Sequence, residues 1–383
     1  MYKIKKLKDC ATIIAGQSPE SKYYNTEGIG IPFFQGKADF GELYPTVRVY
    51  CSQPTKIAEK DDILLSVRAP VGPTNLSPGR VCIGRGLAAI RPFSDMSLRY
   101  LLYYFRFFES QLSAKGTGTT FKAITQATIK NLDVPVPPLP DQEHIVFRIE
   151  ELFSQLDASV AELKTAKERL KVYRQAVLKE AFSKFDGSIE KTISSVCENI
   201  VDCPHSTPKW VQKGKLCLRT TNFKPGYLNL SEKNYVSEET FCERISRLAP
   251  KPGDVLFSRE GAILGIACII PDGLEVCMGQ RMMLLRPSED LLNKYLMYYL
   301  NSPKARTLII ENVGGTASPH INVGDIKNFT IPIIPFAQQQ SVVAEIESRL
   351  SVCDNIEKTV GTALQQAEAL RQSILKIAFE GGL

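Results

Sequence analysis

Hydrophobic residues recur at every seventh position in two long stretches of the chain. The first series is Ile149, Leu156, Leu163, Leu170 and Val177, and the second is Ile346, Cys353, Val360, Ala367 and Ile374. Such a repeat predicts a long helix with one apolar seam. At 1.5 Å per residue, residues 141–182 would form a rod of roughly 60 Å. That length exceeds what one small domain covers, which favours packing of the two helices on each other. The alternative is that each helix packs on its own domain.

The sequence before each helix has a different periodicity. Short apolar runs such as DILLSVR, RVCIG and LAAIRP are broken by Gly, Pro and Asp, which is typical of strands in a mixed domain. The same landmarks occur twice: Ile129 matches Ile326 at an offset of 197, and YLLYYF at 100–105 matches YLMYYL at 295–300. An offset of this size indicates a duplicated domain rather than a solenoid.

The predicted fold class is therefore α+β. It consists of two mixed α/β domains in tandem, separated and joined by two long helices. The predicted segments are a first domain at 1–140, a central helix at 141–185, a second domain at 186–337 and a C-terminal helix at 338–383.

Composition supports a globular, cytoplasmic protein. The chain has 383 residues, 44% of them hydrophobic, and no apolar run reaches the roughly 20 residues that span a bilayer. No apolar signal-peptide core follows the N-terminal MYKIKKLKDC. The ten cysteines include no C-x-x-C pair, and three histidines are few for a zinc site. We expect reduced core thiols and no bound metal.

Positive charge is concentrated outside the helices. Residues 141–182 contain 7 basic and 8 acidic residues and residues 338–379 contain 4 and 5, so the helices sum to −2 and the remainder of the +6 chain to +8. A basic excess on the two domains suits a polyanionic partner.

Catalytic signatures are weak. No G-x-x-x-x-G-K-[ST] loop and no Asn/Asp-Pro-Pro-aromatic methyltransferase motif occurs. Asp9 with Glu20 and Lys22 has the composition of a magnesium-dependent nuclease site, but the second half contains no equivalent. Cys203 and His205 are two residues apart on a predicted turn, which is a poor geometry for a thiolate and its base.

Several segments together resemble one known family. GTGTTFKAITQATIKNLDVPVPPLPDQEHI, SVRAPVG, IGRGLAAIRP and GDVLFSREG are similar to the DNA specificity subunit of type I restriction-modification enzymes, and the resemblance covers essentially the whole chain. It implies two target recognition domains and two helices that form an antiparallel coiled coil with pseudo-twofold symmetry. It also implies that the subunit is non-catalytic.

The resemblance further implies the partners. These are double-stranded DNA with an asymmetric bipartite site, two adenine methyltransferase subunits and, in a complete restriction complex, restriction/translocase subunits. No cofactor is expected on this chain. S-adenosylmethionine would be bound by the methyltransferase subunits, and ATP and magnesium by the restriction subunits.

Candidate DNA-binding residues are polar or aromatic residues in loops after predicted strands, because base edges are read chiefly by Arg, Lys, Asn and Gln. They are Tyr23, Gln35, Lys37, Arg68, Arg85 and Lys122 in the first half, and Trp210, Arg219, Thr220, Asn222, Arg259 and Arg281 in the second. Arg91 and Arg286 match between the halves and are assigned to the shared fold.

Partner docking is predicted on the parts that the two halves share, the helices and the PVPPLPDQ and PIIPFAQQ turns. Gln142 and Gln339 are the candidate partner-binding residues. Two other functions stay open: an enzyme, either a relative of a fused restriction-methyltransferase or a weak nuclease using Asp9 and Glu20, and a coiled-coil adaptor that does not bind nucleic acid.

Overall fold

A computed structural model of the protein describes residues 2–116, 123–314 and 319–382. The chain divides into two compact units. Unit 1 comprises Met1–Leu163 and Thr362–Leu383, and unit 2 comprises Lys164–Gly361. Each unit therefore combines one mixed domain with a part of both long helices.

The elements of the first half are, in chain order, β1 (Ile4–Lys6), β2 (Ala11–Ala15), β3 (Tyr24–Asn25), β4 (Ile31–Phe34), β5 (Tyr50–Cys51), β6 (Ile57–Ala58), β7 (Ile63–Ser66), β8 (Thr74–Leu76), β9 (Val81–Ile83), β10 (Leu87–Pro92), α1 (Leu98–Ala114), α2 (Gln126–Lys130), β11 (Asp133–Pro135) and α3 (Leu139–Ser183).

Those of the second half are β12 (Glu190–Thr192), α4 (Ile193–Val196), β13 (Cys197–Asp202), β14 (Trp210–Val211), β15 (Lys215–Leu218), β16 (Phe223–Lys224), β17 (Tyr227–Leu228), β18 (Tyr235–Val236), α5 (Glu238–Ile245), β19 (Val255–Ser258), β20 (Ala267–Ile269), β21 (Cys277–Met278), β22 (Met282–Pro287), α6 (Asn293–Leu300), α7 (Pro303–Glu311), α8 (Val323–Asn328), β23 (Thr330–Pro332) and α9 (Phe336–Phe379).

The sheets repeat between the units. The main antiparallel sheet has the order β2-β10-β7-β8 in unit 1 and β13-β22-β19-β20 in unit 2. A second sheet in each unit contains one parallel pair, β4 with β9 and β15 with β21. The predicted strands DILLS and LAAIRP are β7 and β10, and β7 is buried on both faces, as its continuous apolar run indicates. The α+β prediction with a duplicated domain is confirmed.

A bidentate ion pair supports the main sheet of each unit. Arg91 donates two hydrogen bonds of 2.8 Å to the Asp62 carboxylate, and Arg286 donates two of 2.8 Å to Asp254. The carboxylate raises the pKa of each guanidinium through these hydrogen bonds. The assignment of the two matched arginines to the shared fold is confirmed.

A buried tyrosine in the core of each unit donates a hydrogen bond from its hydroxyl group to a backbone carbonyl. Tyr100 donates to the carbonyl of Pro135 at 2.9 Å, and Tyr295 donates to that of Pro332 at 3.0 Å. Burial raises the pKa of both phenols above the usual range. These bonds tie α1 to β11 and α6 to β23, just before each long helix begins.

The long helices begin at the proline-rich turns. The carbonyl of Pro138 accepts a hydrogen bond from the backbone N–H of Gln142, and that of Pro335 accepts one from Gln339. Pro140 lies in the first turn of α3, where a missing N–H costs no intrahelical bond. The resulting helices have 45 and 44 residues.

The two helices pack on each other in an antiparallel direction. In unit 2, Arg174 pairs with Asp354 at 2.6 Å, and Glu180, farther along α3, pairs at 2.8 Å with Arg349, which is nearer the start of α9. In unit 1, Asp157 pairs with Arg371. The predicted helix–helix packing is thus confirmed.

The predicted apolar seam is narrower than the heptad pattern suggested. All five repeat positions of α9, from Ile346 to Ile374, are buried. A second series of heptad-spaced apolar residues in α9 would widen the seam, but its members Ile356, Leu370 and Ile377 are exposed. Over the described ranges, no helix combines the length and apolar character needed to cross a membrane.

Candidate nucleic-acid interface

Each unit brings two loops together at the end of its parallel strand pair. The backbone N–H of Gly84, after β9, donates to the carbonyl of Phe34 at the end of β4 at 2.8 Å. In unit 2, Gly279 after β21 donates to Leu218 at the end of β15 at 2.9 Å. Parallel strands end at the same edge of a sheet, so the residues that follow them are neighbours. These residues include Gln35 and Arg85 in unit 1, and Arg219 and Arg281 in unit 2.

The two loops differ in backbone conformation where the sequence alignment places Gly86 opposite Arg281. A Cβ at Gly86 would lie 2.2 Å from the carbonyl oxygen of Gln35, so a side chain is sterically excluded there. Arg281 instead has a left-handed backbone, with φ of 67°. Residues other than glycine are uncommon in the left-handed region of backbone conformation. The backbone at Arg281 therefore differs from that of the matching loop in unit 1.

Unit 2 has a cleft of about 330 Å³ beside these loops, and four predicted DNA-binding residues line it: Trp210, Arg219, Thr220 and Arg281. The Arg219 guanidinium lies 5.8 Å from the centre of the Trp210 ring, within the range of a cation–π contact. Arg281 lines the same cleft, and its Nε is 3.7 Å from a carboxylate oxygen of Glu260. The cleft therefore offers an aromatic face and two guanidinium groups.

Two other predicted readers in unit 2 are engaged inside the fold. The Asn222 side chain is buried, accepts a hydrogen bond from the backbone N–H of Arg219 and donates to the carbonyls of Asn229 and Glu232. Its amide stabilises the loop rather than facing DNA.

Arg259 is also buried, and it donates two hydrogen bonds of 2.7 and 2.9 Å to Asp202. Its charge is neutralised within the protein, so direct base reading by Arg259 and Asn222 is corrected to a supporting role.

The predicted DNA-binding residues of unit 1 differ in their exposure and location. Gln35, Arg68 and Arg85 are exposed, and the backbone N–H of Arg85 donates to Ser18 Oγ at 3.1 Å. Tyr23 is half-buried, with Lys22 Nζ 4.9 Å from its ring centre. Lys122 lies outside the described residues.

Lys37 lines a separate cavity of about 300 Å³, together with Arg106, Glu109 and residues of α3 and α9. Burial raises the pKa of Glu109, and the nearby charge of Lys37 partly offsets this. Lys37 thus lies beside the long helices of unit 1, in a cavity whose lining does not include Gln35 or Arg85.

The two candidate partner-binding glutamines are fully buried. Gln142 Oε1 accepts from the backbone N–H of Ser97 at 2.7 Å, and its Nε2 donates to the carbonyls of Asp95 and Pro137. Gln339 makes the matching three bonds, to Leu292, Asp290 and Ile334. Their amides are used within the fold and present no polar group to a partner, which corrects the expectation of direct contact.

The residues of the weak catalytic candidates make ordinary surface or core contacts. Glu20 and Lys22 form an exposed ion pair of 2.6 Å. Cys203 is buried, which raises the pKa of its thiol, and the exposed His205 is instead 3.2 Å from Asp202. Within the part of the chain that the structure describes, no group of three or more His, Cys, Asp or Glu side chains is arranged to hold a metal ion.

Sequence reasoning missed two residues near the cleft. Glu260 lines it, and the buried Arg244 on α5 donates to the carbonyls of Ser206 and Gly279, which belong to two loops bordering it. Glu260 directly follows Arg259 in the quoted GDVLFSREG segment, but a carboxylate is not among the residue types that chiefly read base edges. Among the described residues of unit 1, no helix matches α5, so the repeat gives no signal for Arg244.

A protein-family model, related sequences and solved structures all match this chain. The model of the type I restriction modification DNA specificity domain matches residues 1–170 and 204–366. A putative specificity subunit of the MjaX enzyme from Methanocaldococcus jannaschii is 44% identical over 138 residues, covering 36% of this chain and 32% of that protein. The chain thus spans about a third of this relative.

The EcoKI specificity subunit of Escherichia coli K12 is 24% identical over 373 residues, covering 91% of this chain and 80% of that protein. Two solved structures share the fold. One, from a study of complex assembly and conformational transition of the type I R-M system, has a TM-score of 0.74 at 21% identity and covers 100% of this chain and 98% of its own. The HsdS subunit from Thermoanaerobacter tengcongensis has a TM-score of 0.53 at 21% identity, with coverage of 100% and 97%.

Proposed function

Because the chain belongs to the type I restriction modification DNA specificity family, we propose that it reads an asymmetric bipartite DNA site, with one half-site bound by each unit. The observation that carries the proposal is that the two units share the same strands and loops but have different polar side chains in those loops. Both units place two loops at the end of a parallel strand pair, but these loops carry Gln35 and Arg85 in one unit and Arg219 and Arg281 in the other. The same scaffold with different polar side chains suits two different half-sites.

The cleft of unit 2 supplies groups suited to DNA. Guanidinium groups bind phosphates or the O6 and N7 atoms of guanine, and threonine hydroxyl groups contact either phosphates or bases. Arg219, Thr220 and Arg281 supply these groups, and the exposed ring of Trp210 offers an apolar face.

The chain's partners in this proposal are two adenine methyltransferase subunits. Repeated helices and repeated proline-rich turns would present the same surface twice, as two identical partners require. Restriction/translocase subunits would join in a complete restriction complex. S-adenosylmethionine is assigned to the methyltransferase subunits, and ATP and magnesium to the restriction subunits. We place the activity in the cytoplasm, with the DNA that it reads.

The helix pair is proposed to set the spacing between half-sites. At 1.5 Å per residue, a 45-residue helix is roughly 68 Å long, and successive turns of the major groove are roughly 34 to 36 Å apart. A rod of this length suits two readers on grooves one or two turns apart.

The experiment is to map methyladenine across the genome of cells that make this chain with its modification subunit. Matched cells lack only this chain. The proposal expects one bipartite motif that disappears without the chain. An unchanged methylation map would overturn the proposal. Binding of the complex to duplex DNA should also weaken steeply with salt, and a salt-insensitive failure to bind would favour a structural adaptor.

A further inference from the structure

Glu260 places a carboxylate in the otherwise basic cleft of unit 2. Its side chain is 30% exposed, and its nearest charged neighbour is Arg281, at 3.7 Å. Among the residues that the structure describes, no hydrogen bond engages the Glu260 carboxylate, although its backbone pairs with that of His320. The carboxylate is thus held at the cleft by its backbone while its oxygens keep acceptor capacity.

The backbone around Glu260 is firmly placed. Arg259, the preceding residue, is buried in its bidentate pair with Asp202, and its backbone N–H donates to the carbonyl of Arg281 at 3.1 Å. Gly261, the following residue, donates to the carbonyl of Pro319 at 2.9 Å. Bonds on both sides therefore fix the Cα of Glu260 beside Arg281, on an ordered segment.

The chemistry of a carboxylate restricts what it can contact on DNA. It repels phosphates and cannot bond to N7, O6 or O4, which are acceptors. The major groove offers a carboxylate only amino donors, N4 of cytosine and N6 of adenine. A carboxylate inside a DNA-binding cleft is therefore unfavourable for non-specific binding and favourable only opposite such a group.

We propose that Glu260 is a specificity-determining residue that requires a major-groove amino group, cytosine N4 or adenine N6, at one position of the half-site read by unit 2. This inference rests on the proposed DNA-reading function. Arg281 contacts the adjoining base edge, and guanine O6 and N7 are the acceptors that suit its guanidinium. The pair then reads a donor and an acceptor side by side.

The left-handed backbone of Arg281 supports this arrangement. Its Cδ would be 3.6 Å and its Nη1 3.3 Å from a Cβ placed on Gly261, so the side chain passes over a position that has no side chain. The arginine therefore packs over Gly261 beside Glu260, and both charged side chains stay accessible, 55% and 30% exposed.

The test uses the assembled complex with its methyltransferase subunits. Once the motif is mapped, duplexes are made in which each cytosine or adenine of the unit 2 half-site, other than the adenine that is methylated, is replaced, one at a time, by 2-pyrimidinone or purine, which lack the amino group. Methylation kcat/KM is measured for the native chain, Glu260→Ala and Glu260→Gln. The pyrimidinone and purine substitutions distinguish cytosine from adenine.

For the native chain, we expect removal of one amino group to lower kcat/KM by about tenfold, the scale of one good base contact. In Glu260→Ala the same removal should cost only what the lost Watson–Crick hydrogen bond costs, because the Glu260 acceptor is already gone. Glu275→Gln is the matched control; this exposed carboxylate pairs with Lys215 outside the cleft and should leave the native pattern intact.

The inference is overturned if the native chain and Glu260→Ala lose equal activity on every substituted duplex. It is also overturned if Glu260→Ala relaxes only a guanine position, because Glu260 would then merely orient Arg281. Failure of the proposed function has a different signature, since no motif would depend on this chain at all.

Discussion

The ring of Phe379 meets the ring of Tyr100 at 5.2 Å between centroids and an angle of 62°, and Phe182 meets Tyr295 with the same distance and angle. Edge-to-face pairs of this kind add stability beyond the burial of their area. Phe379 ends α9 in unit 1, and Phe182 lies near the end of α3 in unit 2. The last turn of each long helix is thus part of the core of the unit in which it ends.

Truncating each phenylalanine should destabilise the unit in which its helix ends. Phe379→Ala and Phe182→Ala each remove a buried ring, with an expected loss of about 3 to 5 kcal/mol in the free energy of unfolding. Hydrogen exchange followed by mass spectrometry should show faster exchange of β7 for Phe379→Ala and of β19 for Phe182→Ala. The opposite pattern would show that the helix ends were assigned to the wrong units.

The hydrogen bonds of the buried Gln142 and Gln339 amides should stabilise the folded state. Replacement by Ala leaves the backbone N–H of Ser97 or Leu292 and two carbonyls without their partner. We expect a loss of about 1 to 3 kcal/mol per site in the free energy of unfolding, measured by urea denaturation.

A control for the glutamine variants is Gln155→Ala, which changes an exposed glutamine of α3. It should leave the urea midpoint nearly unchanged. If Gln142→Ala kept the native midpoint but failed to assemble with the methyltransferase, the glutamine would contact the partner directly after all.

Alkaline pH should destabilise the fold through buried tyrosines. Burial, and secondarily the charge of Asp133, raises the pKa of Tyr104 from 10 to about 12. A raised pKa in the folded state means that this contribution is fully present below pH 10, the value for the unfolded chain, and is lost as pH rises through about 12. The urea midpoint should therefore fall between pH 10 and about 12, and less steeply in Tyr104→Phe than in the native chain.

The exposed Tyr44 provides the control for this pH series. Tyr44→Phe should reproduce the native pH dependence. An alkaline loss that is identical in native, Tyr44→Phe and Tyr104→Phe chains would contradict the role given to Tyr104.

Lengthening both helices should lengthen the DNA spacer. Insertion of seven residues after Leu163 in α3 and after Gly361 in α9 adds about 10 Å and keeps the apolar seam nearly in phase. The spacer in the methylated motif should grow by roughly three base pairs at 3.4 Å per step. The same insertion in the exposed Pro271–Gly273 turn should change nothing, and an unchanged spacer after the helix insertions would refute the proposed spacing role.

The duplicated plan could be predicted from sequence because a repeat needs only matching positions. Arg91 and Arg286 are matched, precede proline, and indeed form equivalent ion pairs. Matching does not reveal burial, however. Gln142 and Gln339 also match between the two halves, and both are buried and hydrogen-bonded within the fold. A conserved contact with two identical partners would give the same match in sequence, so the match alone does not distinguish the two roles.

Individual readers were harder to predict, because residue type does not show where a side chain is used. Arg259 and Arg281 are both arginines in loops after strands, but Asp202, distant in sequence, binds the first and leaves the second exposed. Glu260 lies outside the residue types that chiefly read base edges, although a carboxylate can accept a hydrogen bond from a base amino group.

The most direct test of separate reading by the two units replaces the cleft side chains of unit 2 alone. The methylated motif would be mapped for a chain carrying Arg219→Ala and Arg281→Ala, beside the native chain. The account predicts that one half-site becomes degenerate or lost as a recognised sequence, while the bases of the other half-site stay unchanged among any sites still methylated. Equal relaxation of both half-sites, or an unchanged motif, would contradict it.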